Sequence, residues 1–129
     1  MTDKERKGRL GEDYTADFLI KKGCKIIARN YRKPCGEIDI LAESGDKLLI
    51  VEVKTRKANS LVSGVEAVGY RKKGRIIAAA ECYFADNGLE LQPRYDIAEV
   101  TVTSGDEPRI IDFKYYKDAF DTTGYETQF

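Results

Sequence analysis

The sequence predicts a mixed α/β domain in the order αβββαββ, with helices covering both faces of a central mixed sheet. Three observations predict it. A T-x-x-E capping box opens a long polar stretch at the N-terminus. Strand-like runs flank Ser44-Gly45-Asp46 as in a hairpin, apolar on both faces near the turn and polar on only one face at the far end. A second helical stretch closes at Asn87-Gly88.

The elements follow in order. Thr2 and Glu5 are spaced to cap a helix that starts near Asp3 and runs to Lys22, with Gly23 as its left-handed terminator. Gly8, Gly11, Glu12, Thr15, Phe18 and Leu19 fall in one sector of that helix. Glycine weakens a helix, so its presence here implies close approach to a sheet. Glu12 shares this packed side, an unusual place for a carboxylate. Residues 24–31 read as a first strand and 32–36 as a loop containing Pro34. Strands over 37–43 and 47–56 come next, then a loop over 57–64. A helix over 65–84 carries Val65, Val68, Ile76, Ala80 and Phe84 as its apolar stripe. Residues 94–103 and 109–116 read as the last strands. Residues 1–116 thus form a single domain, and 117–129 form a tail with little pattern, loose or engaged in a dimer contact.

Composition narrows the chemistry. A chain of 129 residues, 42% apolar, supports one core without staples. No apolar run approaches the roughly 20 residues of a membrane span, and the charged N-terminus is not a secretory signal. The three cysteines, Cys24, Cys35 and Cys82, have no C-x-x-C spacing. A disulfide framework or zinc site is therefore not expected, and a reducing cytoplasm fits best. Histidine is absent, which excludes Ser-His-Asp and Cys-His catalysis. Net charge is zero but uneven: residues 1–76 hold 18 Lys/Arg against 11 Asp/Glu, and residues 77–129 hold 4 against 11. The first part has the electrostatics of a phosphate-binding surface.

The hairpin carries the chemistry. A two-residue Gly45-Asp46 turn of type II′ pairs residues so that Asp39 faces Glu52 and Glu37 faces Lys54. All four project to one side. Ile38, Ile40, Leu49, Val51 and Val53 cover the other, and the hairpin reads as a central part of the sheet. Opposed carboxylates, with Cβ atoms roughly 5 Å apart, repel. Either one keeps a proton or a cation sits between them, and a hard ion such as Mg²⁺ takes such oxygens. Lys54 stands beside the pair, within reach of an attacking water or a phosphate oxygen, a set sufficient for metal-assisted phosphodiester hydrolysis. The plainer reading of Glu-x-Lys on a strand is a solvated face, and Glu37 opposite Lys54 is also a simple ion pair worth under about 1 kcal/mol.

GEIDIL (36–41) followed by VEVKTR (51–56) resembles the YraN-like bacterial family, placed in the PD-(D/E)xK, or restriction-endonuclease-like, nuclease superfamily. Gly8-x-x-Gly11-Glu12, Asn30-Tyr31-Arg32, Ala67-Val68 with Lys72 and Arg75, and Arg94-Tyr95-Asp96 extend the likeness over about residues 8–100. The first acid is preceded by Ile38 and not by proline, and Tyr95 stands where phenylalanine is more usual. The resemblance implies a restriction-endonuclease-like sheet, with Asp39, Glu52 and Glu12 as metal-binding acids and Lys54 as the active-site lysine. It implies Mg²⁺ (or Mn²⁺) as cofactor. Through its similarity to archaeal Holliday-junction resolvases it implies branched or single-strand-containing DNA as substrate, a homodimer, and a recombination or repair partner.

Basic residues around this core are candidates for phosphate contact: Arg71, Lys72, Lys73 and Arg75 on the second helix, and Arg29, Arg32 and Lys33 before the motif. Arg56 reads as a phosphate ligand or an ion-pair partner, and Asp96 as a structural ion pair with Arg94 or another residue. Three functions follow from these readings: a Mg²⁺-dependent endonuclease on branched DNA, a catalytically silent nucleic-acid-binding module, and a metal-binding or structural domain unrelated to nucleic acid.

Overall fold

A computed structural model of the chain describes residues 1–59, 68–88 and 90–125. Helix α1 spans Asp3–Lys21 and helix α2 spans Tyr70–Asn87. The strands are β1 (Lys25–Lys33), β2 (Gly36–Ser44), β3 (Lys47–Lys57), β4 (Gln92–Val102) and β5 (Ile110–Phe120). They form one sheet in the order β1-β2-β3-β4-β5. The β3–β4 pair is parallel and the other pairs are antiparallel, so the sheet is mixed as expected. The described elements keep the αβββαββ order.

Capping sets the helix ends. The Glu5 amide donates to Thr2 Oγ1 at 3.1 Å, and the Thr2 hydroxyl donates back to Glu5 Oε1 at 3.1 Å. Gly23, at φ +89°, turns the chain out of α1. Gly88, at φ +56°, caps α2. The second helix begins later than residue 65: Gly69 is extended and serves as its N-cap. Val65, with residues 60–64 of the expected loop, lies outside the described residues.

The loop expected over residues 32–36 is instead a two-residue turn. Lys33 pairs with Gly36, and Pro34, whose ring presets φ, stands at the first turn position. Arg32 and Lys33 are therefore strand residues. The tail drawn from residue 117 also starts later. β5 runs to Phe120, and the Tyr125 ring stacks on Tyr70 with centroids 4.5 Å apart.

Two apolar layers sandwich the sheet. α2 places Ile76, Ile77, Ala79 and Ala80 against Leu41, Leu48, Ile50 and Ile97. α1 places Ala16 and Leu19 against Ile40, Ala42, Leu49, Val51 and Ala98. Ile38 was expected with Ile40 but packs on the α2 side with Leu41. The change of face falls at Asp39, where β2 leaves β3 after the Ile40–Val51 pair and where Asn30, between the β1 partners of Ile38 and Ile40, sits at φ +53°.

Close approach of α1 applies at Gly11 and not at Gly8. A Cβ on Gly11 would overlap Thr55 Oγ1, whereas one on Gly8 would meet open space. Gly8→Ala is accordingly expected to stabilise the fold by about 0.5–1 kcal/mol through helix propensity. Gly11→Ala is expected to cost about 1–3 kcal/mol by overpacking. Urea denaturation of the two variants checks the contrast.

Candidate active site

The geometry begins where the β2–β3 ladder ends. The turn register is as expected, from Ser44–Lys47 to Ile40–Val51. At the next position the ladder is replaced: the Val53 amide donates to Asp39 Oδ2 at 2.8 Å. A side-chain carboxylate thus takes the place of a strand acceptor and is fixed against β3 beside Glu52. Beyond this point the outer half of β3 keeps β4 as a strand partner, from Glu52–Ile97 to Lys57–Val102.

The two acids are strongly perturbed. Glu52 is only 6% exposed, and its Oε2 is buried with no hydrogen-bond partner among the described residues. Burial, then the neighbouring Asp39 charge, push the Glu52 carboxyl up to about 8. Burial also raises Asp39, against the opposing pull of the Val53 amide. At neutral pH the pair is therefore held short of full ionisation, with one proton shared between Glu52 and Asp39. An orphaned carboxylate oxygen and two acids that cannot both ionise alone fit the donor chemistry of a hard divalent cation.

Raised acidity of this kind makes stability depend on pH. Below about 4.5 Glu52 is protonated in both folded and unfolded chains. Between 4.5 and about 8 the unfolded chain releases this proton while the folded one keeps it, so stability falls as pH rises. Above about 8 the full cost is present. Glu52→Gln, compared with wild type in metal-free buffer, should change little near pH 4.5 and stabilise by a few kcal/mol at pH 8.5, on the order of 1.4 kcal/mol per unit of displaced pKa. Denaturant titrations at both pH values read the difference.

Lysine from α2 completes the acid cluster. Lys72 Nζ donates to Glu37 Oε1 at 3.0 Å and lies 3.7 Å from Glu52 Oε1. Glu37 was expected to face Lys54. It instead meets Lys72 and, at 3.6 Å, Arg32, because the two strands have parted and α2 closes over the gap. The Lys72 ammonium holds Glu37 below the ordinary carboxylate range. Lys54 lines the cleft beside Glu52, and its charge acts to lower Glu52.

Glu12 is placed differently from the other acids. Arg29 Nε donates to Glu12 Oε1 at 2.8 Å and Asn30 Nδ2 donates to it at 3.0 Å. Arg29 also binds Asp13 Oδ1 at 2.5 Å. Among the described residues no three acidic or thiol groups are gathered closely enough to hold an ion. Glu12 thus acts on Asp39 through space, raising it.

The remaining basic residues divide. Lys33 pairs with Asp86 at 3.6 Å, and Lys73 lies over the Phe120 ring. Arg56 approaches Glu99 at 3.8 Å, so its ion-pair reading is realised. Arg71 and Arg75 are exposed on α2, and Arg75 contributes positive potential at Glu37. Arg94 and Asp96 form the expected pair.

A cleft of about 750 Å³ opens from Glu52 and Lys54 between α1 and the start of α2. Lys4, Lys7, Lys57 and Lys72 also line it, with Asp3. Sequence reasoning missed Lys7, which is 8% exposed and has no acidic partner among the described residues. Its signal was its position one turn before Gly11 on the packed side of α1. No described helix is long and apolar enough to cross a membrane.

Comparison with known proteins adds a family. The profile described as "Uncharacterised protein family UPF0102" matches residues 11–100. The chain is similar to a UPF0102 protein of Syntrophotalea carbinolica, 43% identical over 92% of this chain and 94% of the relative. It is similar to one of Dictyoglomus thermophilum, 40% identical over 93% of this chain and 100% of the relative. A third, from Chlorobium chlorochromatii, is 41% identical over 88% of this chain and 89% of the relative.

Proposed function

The chain belongs to the uncharacterised protein family UPF0102, the YraN-like group its motifs resemble, and on that footing we propose that it is a metal-dependent endonuclease of the restriction-endonuclease-like superfamily. The observation that carries this reading is the Asp39–Glu52 pair, with one buried carboxylate oxygen left without a partner and Lys54 beside it. Asp39 and Glu52 would hold Mg²⁺ or Mn²⁺. When bound, such an ion supplies an acidified water and a polarised phosphate oxygen.

The protein's own groups do the rest. Glu52 and Asp39 would hold the cation as carboxylates, the proton they share being released on binding. The Val53 amide fixes the orientation of Asp39. Lys54 orients the attacking water. Lys7 and Lys57 offer phosphate contacts along the cleft, and Lys72 neutralises Glu37 and Glu52 from the opposite wall. The basic cleft supports a polyanionic substrate. Branched or single-strand-containing DNA, cut by a homodimer, is the substrate and assembly we carry from the family resemblance.

Cleavage of labelled four-way-junction, flap and single-stranded DNA tests the proposal. Products should form with Mg²⁺ or Mn²⁺ and disappear with chelator. Lys72 favours one other reading: its ammonium already balances the acids without a metal, as a binding module that does not turn over would require. Salt-dependent DNA binding without cleavage in any metal would select that reading.

A further inference from the structure

Outside the acid cluster, the fold brings together two reactive groups of one kind. Cys35 occupies the second position of the turn between β1 and β2, and Cys82 lies on α2. They are 47 positions apart in the chain, and their Sγ atoms lie 2.7 Å from each other. Both thiols are free and partly exposed. The third, Cys24, packs against the α1 layer on the other side of the sheet.

The backbone around the two thiols is closely packed. Gly36 follows Cys35, and a Cβ there would overlap the Arg75 carbonyl oxygen, so the start of β2 lies directly on α2. Cys35 Sγ also approaches the Ala78 carbonyl oxygen at 3.7 Å. Two cysteines on separate elements thus lie sulfur against sulfur at a partly exposed position, close to the roughly 2.0 Å of an S–S bond. Sharing a proton with Cys35 holds the Cys82 thiol above its ordinary value.

We propose that Cys35 and Cys82 are a reversible modification site that small-molecule disulfides, of the class of oxidised glutathione, convert to an internal disulfide fastening β2 to α2. One protein thiolate attacks a sulfur of the small disulfide, forms a mixed disulfide and expels a small thiolate. The other protein thiol loses its proton and attacks the protein sulfur of that mixed disulfide. The Cys35–Cys82 bond forms and the second small thiol leaves. Two electrons and two protons pass from the protein to the small disulfide, and a reduced thiol reverses the sequence.

The bond has a consequence for the neighbouring site. The covalent loop from residue 35 to residue 82 encloses Glu37, Asp39, Glu52, Lys54 and Lys72. Closing it ties the segment that carries Glu37 to the helix that carries Lys72. The constraint acts on the unfolded chain and stabilises the folded one.

The full chain, incubated with millimolar oxidised glutathione and then freed of it, tests the site independently of any nuclease activity. Titratable thiols should fall from three to one, with a Cys35–Cys82 linked peptide in non-reducing mass spectrometry. The thermal midpoint should rise by about 10 °C and return with dithiothreitol. Cys35→Ser and Cys82→Ser should each lose the linked peptide and the shift, and Cys24→Ser should keep both. Three titratable thiols after oxidation, stable glutathione adducts without an internal bond, or a link through Cys24 would each overturn the proposal.

Discussion

Asp39→Asn is expected to lower the rate of DNA hydrolysis by about 10²–10³-fold, the scale lost when a group that stabilises charge at the reacting centre is removed. The variant is chosen because it is nearly isosteric. Asp39 has two duties: one oxygen accepts the Val53 amide, and the carboxylate faces Glu52. Asparagine keeps an oxygen for the Val53 amide and removes the charge. Burial still raises Glu52, but the Asp39 charge that adds to it is gone, so the variant should fold and keep its stability at neutral pH. A single-turnover assay at saturating Mg²⁺, with DNA binding measured in parallel, separates loss of chemistry from loss of substrate. Wild-type hydrolysis by pure Asp39→Asn would remove Asp39 from the site.

The second large effect concerns stability. Asp96 is fully buried and accepts from four donor atoms on three residues. Arg94 binds it in a fork, Nε at 2.9 Å and Nη2 at 2.8 Å. The Tyr115 hydroxyl donates to it at 2.6 Å and the Asp118 amide at 2.9 Å. Asp118 itself sits at φ +51°, a left-handed conformation that this bond helps to hold. Burial and the Asp96 charge together push the Tyr115 phenol far above its ordinary value, so the hydroxyl remains a donor. Asp96→Ala removes one acceptor and strands a guanidinium, a phenol and an amide. Breaking such a buried pair costs about 3–5 kcal/mol, which for a domain of this size lowers the melting temperature by roughly 10–20 °C. Asp96→Asn keeps an acceptor and should lose less. Calorimetry of the two variants ranks them.

Much of the hairpin was legible because strand alternation has a period of two and a Gly-Asp turn fixes register. From those facts alone Asp39 and Glu52 come to one place, as they do in the fold. The Arg94–Asp96 pair was legible for a similar reason, since residues two apart on a strand share a face. The end of the β2–β3 ladder was not. It depends on a side chain replacing a backbone acceptor, which leaves no mark in hydrophobic patterning. Lys72 as partner of Glu37 depends on how far α2 slides along the sheet, a tertiary quantity. Lys7 was passed over because a charged residue beside an apolar stripe is ordinarily a solvated one. Cys35 and Cys82 meet through that same α2 placement, so local spacing gave no hint of them.

Manganese binding to the metal-free protein, followed by electron paramagnetic resonance and by calorimetry in two buffers of different ionisation heat, tests the central claim most directly. The account predicts saturable Mn²⁺ uptake at pH 7 with release of a proton from the Asp39–Glu52 pair, and loss of both signals in Asp39→Asn. Uptake by Asp39→Asn equal to wild type, or no uptake by wild type even with DNA present, would contradict it.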